Sequence, residues 1–186
     1  MAKLLWVDLE TSGLSPFKNG LLSLAALYEE EGTDNSDKCE YQCRPHPSDT
    51  INPQALKVNG FTQKQIANFP CPYEVLSTFE GFMRQYIDPY DPTDKFTMCG
   101  YNTSFDLRFL NAWFLKHGND YFYSYFHKET IDVLPMARRY FKTNGISIEN
   151  NKLVTVAKYF DIEGTFHTAI DDILATFQIY HHVKED

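Results

Sequence analysis

No apolar run in the 186-residue chain approaches the ~20 residues that a bilayer crossing demands. Its opening, Met1-Ala2-Lys3-Leu4-Leu5-Trp6-Val7-Asp8, meets charge too early for a secretory signal. A cytoplasmic protein with no membrane partner is therefore expected. Cysteine is scarce, with four residues at positions 39, 43, 71 and 99 in no paired framework. Cys39 and Cys43 lack both a CxxC spacing and a companion His pair, so buried or partly buried thiols are expected in place of a zinc site or disulfides. Positive charge is also short. The balance of 17 Lys+Arg against 25 Asp+Glu gives a net charge of -8, which argues against a broad basic surface for gripping nucleic acid. A substrate bridged through divalent metal stays open, because metal-binding carboxylates add to the negative charge of the empty protein. Internal repeats, low-complexity tracts and linkers are missing, so residues 1–186 read as one domain around one core.

What the chain does contain is ordinary for a globular protein: 43% hydrophobic and 23% charged residues, with 15 Phe and 12 Tyr. Residues 4–9 (LLWVDL) form a short apolar run ending in charge, the pattern of a central strand covered on both faces. Gly13, Pro16, Asn19 and Gly20 mark a turn, and strands are predicted over 21–28 and 38–44, an antiparallel meander of three. Asn52-Pro53 opens a short helix. Val75, Leu76, Phe79, Phe82, Met83 and Tyr86 recur at helical spacing. The segment 96–101 reads as a strand that runs into a helix near Thr103, with Gly118 as its stop. A last strand at about 129–133 and helices near 133–142, 152–160 and 168–182 complete a mixed sheet with helices on its two faces.

Three acidic constellations carry chemistry. Asp8 and Glu10 lie two apart at a strand end, which places their carboxylates on one side. Like charges so placed repel, and hard oxygen ligands of this kind suit Mg2+ or Mn2+. The plainer alternative is a pair of solvated surface acids. Asp106 falls in the first turn of a helix capped by Thr103 or Ser104, where the helix dipole favours a carboxylate, so a stabilising role is equally natural. His167 precedes a helix carrying Asp171 and Asp172. Five residues is about 140° out of phase on a helix, so His167 meets Asp172 only from the preceding loop, where a histidine suits general-base work. Carboxylates at the ends of two strands lie where α/β sheets place their ligands.

Asp8-x-Glu10, then Asn102-x-x-Phe105-Asp106, then His167 with Asp172 five residues on, resembles the three motifs of the DEDDh 3'-5' exonucleases, the proofreading epsilon-subunit and RNase T group of the ribonuclease H-like superfamily. VDLETSGLSP, INPQALKVNGFT and GYNTSFDLRFLNAWF extend the resemblance over nearly the whole chain. Tyr101 and Ser12 stand where many relatives carry His or Gly, and Thr, respectively. The resemblance implies a three-layer αβα fold with a central mixed five-stranded sheet. It also implies two Mg2+ or Mn2+ ions, held about 3.5 to 4 Å apart by Asp8, Glu10, Asp106 and Asp172, with His167 as general base. The family spacing selects Asp172 over Asp171. Thr11, Gly13, Leu14, Phe61, Asn102, Phe105 and His167 would contact the terminal nucleotide, although Leu14 and Phe61 also read as core residues. The implied activity is removal of nucleoside 5'-monophosphates from single-stranded or frayed 3' DNA ends. An RNA-trimming or oligoribonucleotide-degrading enzyme is the alternative, because WVDLETSGL is similar to the start of oligoribonucleases, and a silent polymerase-binding module is a third reading. A homodimer or a polymerase partner is left open. The aromatic cluster Tyr121 to Phe126 and the pair His181-His182 are read as core packing and helix-end contacts.

Overall fold

The protein is seen in a computed structural model that describes residues 2–166 and 168–184. Its layout follows from the alternation along the first strand, β1 (Lys3–Thr11). Leu5, Val7 and Leu9 enter one apolar core, while Leu4 and Trp6 enter another, as the period of two requires. β2 (Leu21–Glu30) runs antiparallel to β1, and β3 (Ser36–Gln42) antiparallel to β2. This is the meander that the short loops predicted.

The chain then leaves the sheet. α1 (Pro53–Asn59) is capped by the Asn52 side chain, begins on Pro53, and stops at Gly60, whose φ of 74° is the left-handed conformation that glycine adopts without cost. α2 (Gln63–Ala67) was not anticipated; it is one short turn made by a capping box between Thr62 and Gln65. α3 (Pro72–Met83) buries Val75, Leu76, Phe79, Phe82 and Met83 along one stripe.

β4 (Phe96–Gly100) returns parallel to β1, and α4 (Thr103–Lys116), α5 (Phe122–Tyr125) and β5 (Phe126–Asp132) follow. β5 pairs parallel to β4, which completes a mixed five-stranded sheet in the order β3-β2-β1-β4-β5. α6 (Val133–Thr143), α7 (Leu153–Tyr159) and α8 (Ala169–Val183) close the chain. Residues of α3 and α4 fill the core on one face of the sheet, and residues of α6, α7 and α8 that on the other, giving three αβα layers.

The last strand begins three residues earlier than the sequence suggested. Phe126 is buried, stacking on Phe122 at 4.7 Å and facing Phe96 at 6.2 Å, so packing extends the strand backwards. The aromatic cluster divides: Phe122, Tyr125 and Phe126 are core, whereas Tyr121 and Tyr123 are exposed. His182 stacks on Phe160 in the last turn of α8, while His181 lies 3.7 Å from Glu29. All four cysteines are free thiols, buried or partly so.

Candidate metal centre and nucleotide pocket

The face of β1 that carries Leu4 and Trp6 also carries Asp8 and Glu10, and α8 lies against it. Trp6 meets Phe177 and Tyr180 edge-on, with ring centroids 5.5 and 5.0 Å away, and its indole N–H is satisfied by Glu29 at 3.0 Å. The strand turns from apolar to acidic as it approaches the first turn of α8. There one oxygen from each of Asp8, Glu10 and Asp172 falls within 4.8 Å of the other two.

Thr168 caps α8 by accepting the Asp171 N–H, and the Asp171 carboxylate in turn accepts the Thr168 hydroxyl at 2.8 Å. Asp171 is thus occupied at the helix start, while Asp172 faces the strand. His167 lies outside the described residues.

Asp106, on α4, stands outside that group of three but near enough for its charge to act on Asp8. β4 pairs with β1 only from Lys3 to Trp6, so the edge of β1 beyond is uncovered, and the Asp106 carboxylate accepts the Leu9 N–H together with its own. The turn between β4 and α4 sits close to β1: a Cβ on Gly100 would lie 3.1 Å from the Val7 carbonyl oxygen, a tight approach for any larger residue. The expected cap by Thr103 or Ser104 is not what forms. The N-cap is Asn102, in the left-handed conformation with φ 67° and no side-chain cap bond. The Thr103 hydroxyl instead donates to the Ile131 carbonyl at 2.9 Å, because β5 presents an acceptor at that level.

The electrostatics are those of crowded acids. Burial, then the charges of Asp106, Asp172 and Glu10, push Asp8 well above the usual carboxylate range. Burial followed by Asp172 raises Glu10 to about 7. Asp106 is raised too, chiefly by burial, although its two backbone N–H donors work against the shift. Every influence on Asp8 opposes its ionisation, so a bound cation would relieve the crowding of negative charge. The donor set is all oxygen, which fits Mg2+ or Mn2+.

The loop after β1 borders this centre and is internally braced. Ser12 N–H bonds the Gly20 carbonyl, the Ser12 hydroxyl accepts the Gly20 N–H, and Asn19 Oδ1 accepts the Ser15 N–H. Gly13 is needed because a Cβ would lie 2.5 Å from the Asn19 side chain. Lys116 at the end of α4 ties the loop down through the Asn19 carbonyl and the buried Asp49 carboxylate.

Leu14 on this loop is 84% exposed, which removes the reading of Leu14 as core. Thr11 is buried, its hydroxyl donating to the Gly13 carbonyl. Asn59 of α1 donates to the Thr11 carbonyl, which ties α1 to the end of β1. Phe61, just beyond that helix, is half-buried against Phe69, and Phe105 is half-buried against Phe109. Asn102 is exposed. Sequence reasoning passed over Asp132 and the Lys116–Asp49 pair. The only local signal for Asp132 was an acidic residue at the start of the MARRYF helix.

Residues 5–180 match the Exonuclease family of RNase T type. DNA polymerase III PolC-type from Bacillus cereus is 31% identical over 170 residues, which are 91% of this chain and 10% of that protein. The oligoribonuclease of Halorhodospira halophila is 24% identical over 98% of this chain and 93% of its own length. Among solved structures, E. coli exonuclease I in complex with a dT13 oligonucleotide is similar with a TM-score of 0.79 at 22% identity, over 99% of this chain and 41% of that one. The chain thus spans about a tenth of the polymerase and less than half of exonuclease I. Because the family match runs unbroken from the strand bearing Asp8 to the helix bearing Asp172, the chain belongs to the DEDDh-type 3'-5' exonuclease family.

Proposed function

We propose that the chain is a metal-dependent exonuclease that removes nucleoside 5'-monophosphates from the 3' end of single-stranded or frayed DNA. The observation that carries this reading is the convergence of Asp8, Glu10 and Asp172 within 4.8 Å, with Asp106 near enough for its charge to act on Asp8. Asp8, Glu10, Asp106 and Asp172 would hold two Mg2+ or Mn2+ ions. When bound, such ions lower the pKa of water and stabilise the attacking and leaving oxygens of an in-line displacement at phosphorus.

The chain's own groups do the rest. The Leu9 N–H beside the Asp106 carboxylate favours its charged form. Leu14, held out on a braced loop, offers an apolar surface to the terminal base, and apolar stacking is indifferent to base identity. Phe61 and Phe105, both half-buried, would line the same pocket, to which Thr11, Gly13 and Asn102 would contribute backbone and amide groups. His167, next to the Thr168 cap of α8, takes the proton from the attacking water.

A second reading has specific support: an oligoribonuclease is similar over 98% of this chain, so short RNA is the competing substrate. End-labelled single-stranded DNA, duplex DNA and RNA of matched sequence, each with Mg2+ and with Mn2+, decide between them. DNA shortened one nucleotide at a time from the 3' end supports the first reading, and preferential loss of RNA supports the second. Asp8→Ala should abolish cleavage and leave the circular dichroism unchanged. Cleavage that persists in that variant, or in EDTA, refutes the metal site, whereas no cleavage of any of these substrates by the unaltered protein would restore the silent-module reading.

A further inference from the structure

We infer that Asp132 is a positioning residue that holds the β4–α4 turn in the conformation presenting Asp106 to the metals; this rests on the metal reading above. Asp132 ends β5 opposite Gly100 of β4. One oxygen, Oδ1, accepts two backbone N–H groups from different elements: Leu134 at 3.1 Å, the ordinary N-cap bond of α6, and Asn102 at 2.9 Å. Capping α6 explains only the first. The second grips the one residue of the turn whose backbone is strained, since Asn102 adopts φ 67° without the freedom of glycine. Next to it, the fully buried Thr103 donates its hydroxyl to the Ile131 carbonyl.

The end of β5 therefore clamps two consecutive residues at the start of α4, and Asp106 follows three residues later in the first turn. Asn102 makes no side-chain cap bond of its own, so the amide stays available while the backbone is held. Without the clamp the turn relaxes toward the right-handed region, α4 starts differently, and the Asp106 carboxylate leaves the Leu9 N–H. Residues that orient metal ligands in this way characteristically change metal affinity by about 10–100-fold when lost.

The test separates the clamp from the cap. Asp132→Ser keeps a good N-cap for α6 but is one atom too short to reach Asn102 as well. Asp132→Asn keeps both acceptor bonds and removes only the charge. Mn2+ binding is measured by titration calorimetry without substrate, alongside thermal midpoints in EDTA. Asp132→Ser should weaken Mn2+ binding about tenfold or more with a midpoint near that of the unaltered protein, and Asp132→Asn should bind nearly normally. Adding Asn102→Gly to Asp132→Ser should recover most of the affinity, because glycine holds the left-handed turn unaided. Thr62→Ala, which breaks the capping box of α2, serves as the control for a purely structural loss and should leave Mn2+ binding intact. Normal binding by Asp132→Ser, an equal loss in Asp132→Asn, or no recovery with Asn102→Gly overturns the inference. Failure of the unaltered protein to bind Mn2+ overturns the metal reading itself.

Discussion

Glu10 offers the sharpest physical test of the crowded-acid picture, because its charge should destabilise the metal-free protein. Burial and Asp172 raise it from an ordinary 4.5 to about 7. A carboxylate whose pKa is higher folded than unfolded binds more protons in the native state, so stability falls with pH wherever the two states differ in protonation. No penalty exists below about 4.5; it grows through the interval up to about 7 and is complete above it. At about 1.4 kcal/mol per factor of ten, the full penalty is at most about 3 kcal/mol, reduced by whatever solvent reaches the half-buried side chain. Glu10→Gln keeps the shape and removes the charge. In EDTA at pH 8 the variant should therefore melt higher than the unaltered protein, by up to about 6–12 °C for a domain of this size, and the gap should close by pH 5. Saturating Mn2+ at pH 8 should reverse the order, since only the full ligand set gains the binding free energy. Scanning calorimetry over pH 5–8 with EDTA or Mn2+ reads all of this. A Glu10→Gln midpoint at or below that of the unaltered protein at pH 8 in EDTA refutes the account, because it would mean that the carboxylate is not held against its own ionisation.

Other consequences follow from the loop and its brace. Lys116→Met strands the buried Asp49 carboxylate, whose side chain is 1% exposed, and should cost about 3–5 kcal/mol in urea denaturation. Combining it with Asp49→Asn should recover most of that, and a single-variant loss under about 1 kcal/mol would contradict the brace. Leu14→Ala should leave the thermal midpoint unchanged, because the side chain is 84% exposed, while raising KM for a single-stranded oligonucleotide about tenfold, in keeping with about 1.5–3 kcal/mol for covering a leucine side chain. An unchanged KM would remove Leu14 from the nucleotide pocket.

How much of this was readable beforehand depended on how local the cause was. The apolar run 4–9 and the short loops after it determined a central strand and a meander, because period-two burial and turn chemistry act over a few residues. Asp172 was separable from Asp171 by family spacing, and the physical reason lies in the helix start: Thr168 needs a partner three residues on, so Asp171 is drawn to the cap while its neighbour faces β1. The same local logic failed at Thr103. A hydroxyl in the sequence pattern of a helix cap was diverted to the Ile131 carbonyl, an acceptor 28 residues away that exists only once β5 has docked beside β4. Phe126 joined its strand early for a similar reason, through rings contributed by Phe96 and Phe122. Asp132 and Lys116 were invisible because their partners, the N–H of a left-handed Asn102 and the carboxylate of Asp49, are positions that the finished fold creates. The four acids of the candidate centre were legible as residue types, whereas what orients them is not. Asp106 depends on a Leu9 N–H left uncovered where β4 stops pairing with β1, and that gap depends on the turn that β5 holds. Ligand identity is thus written locally and ligand geometry tertiarily. Substitutions in β5 should accordingly perturb metal binding more than their distance in sequence from Asp8 would suggest.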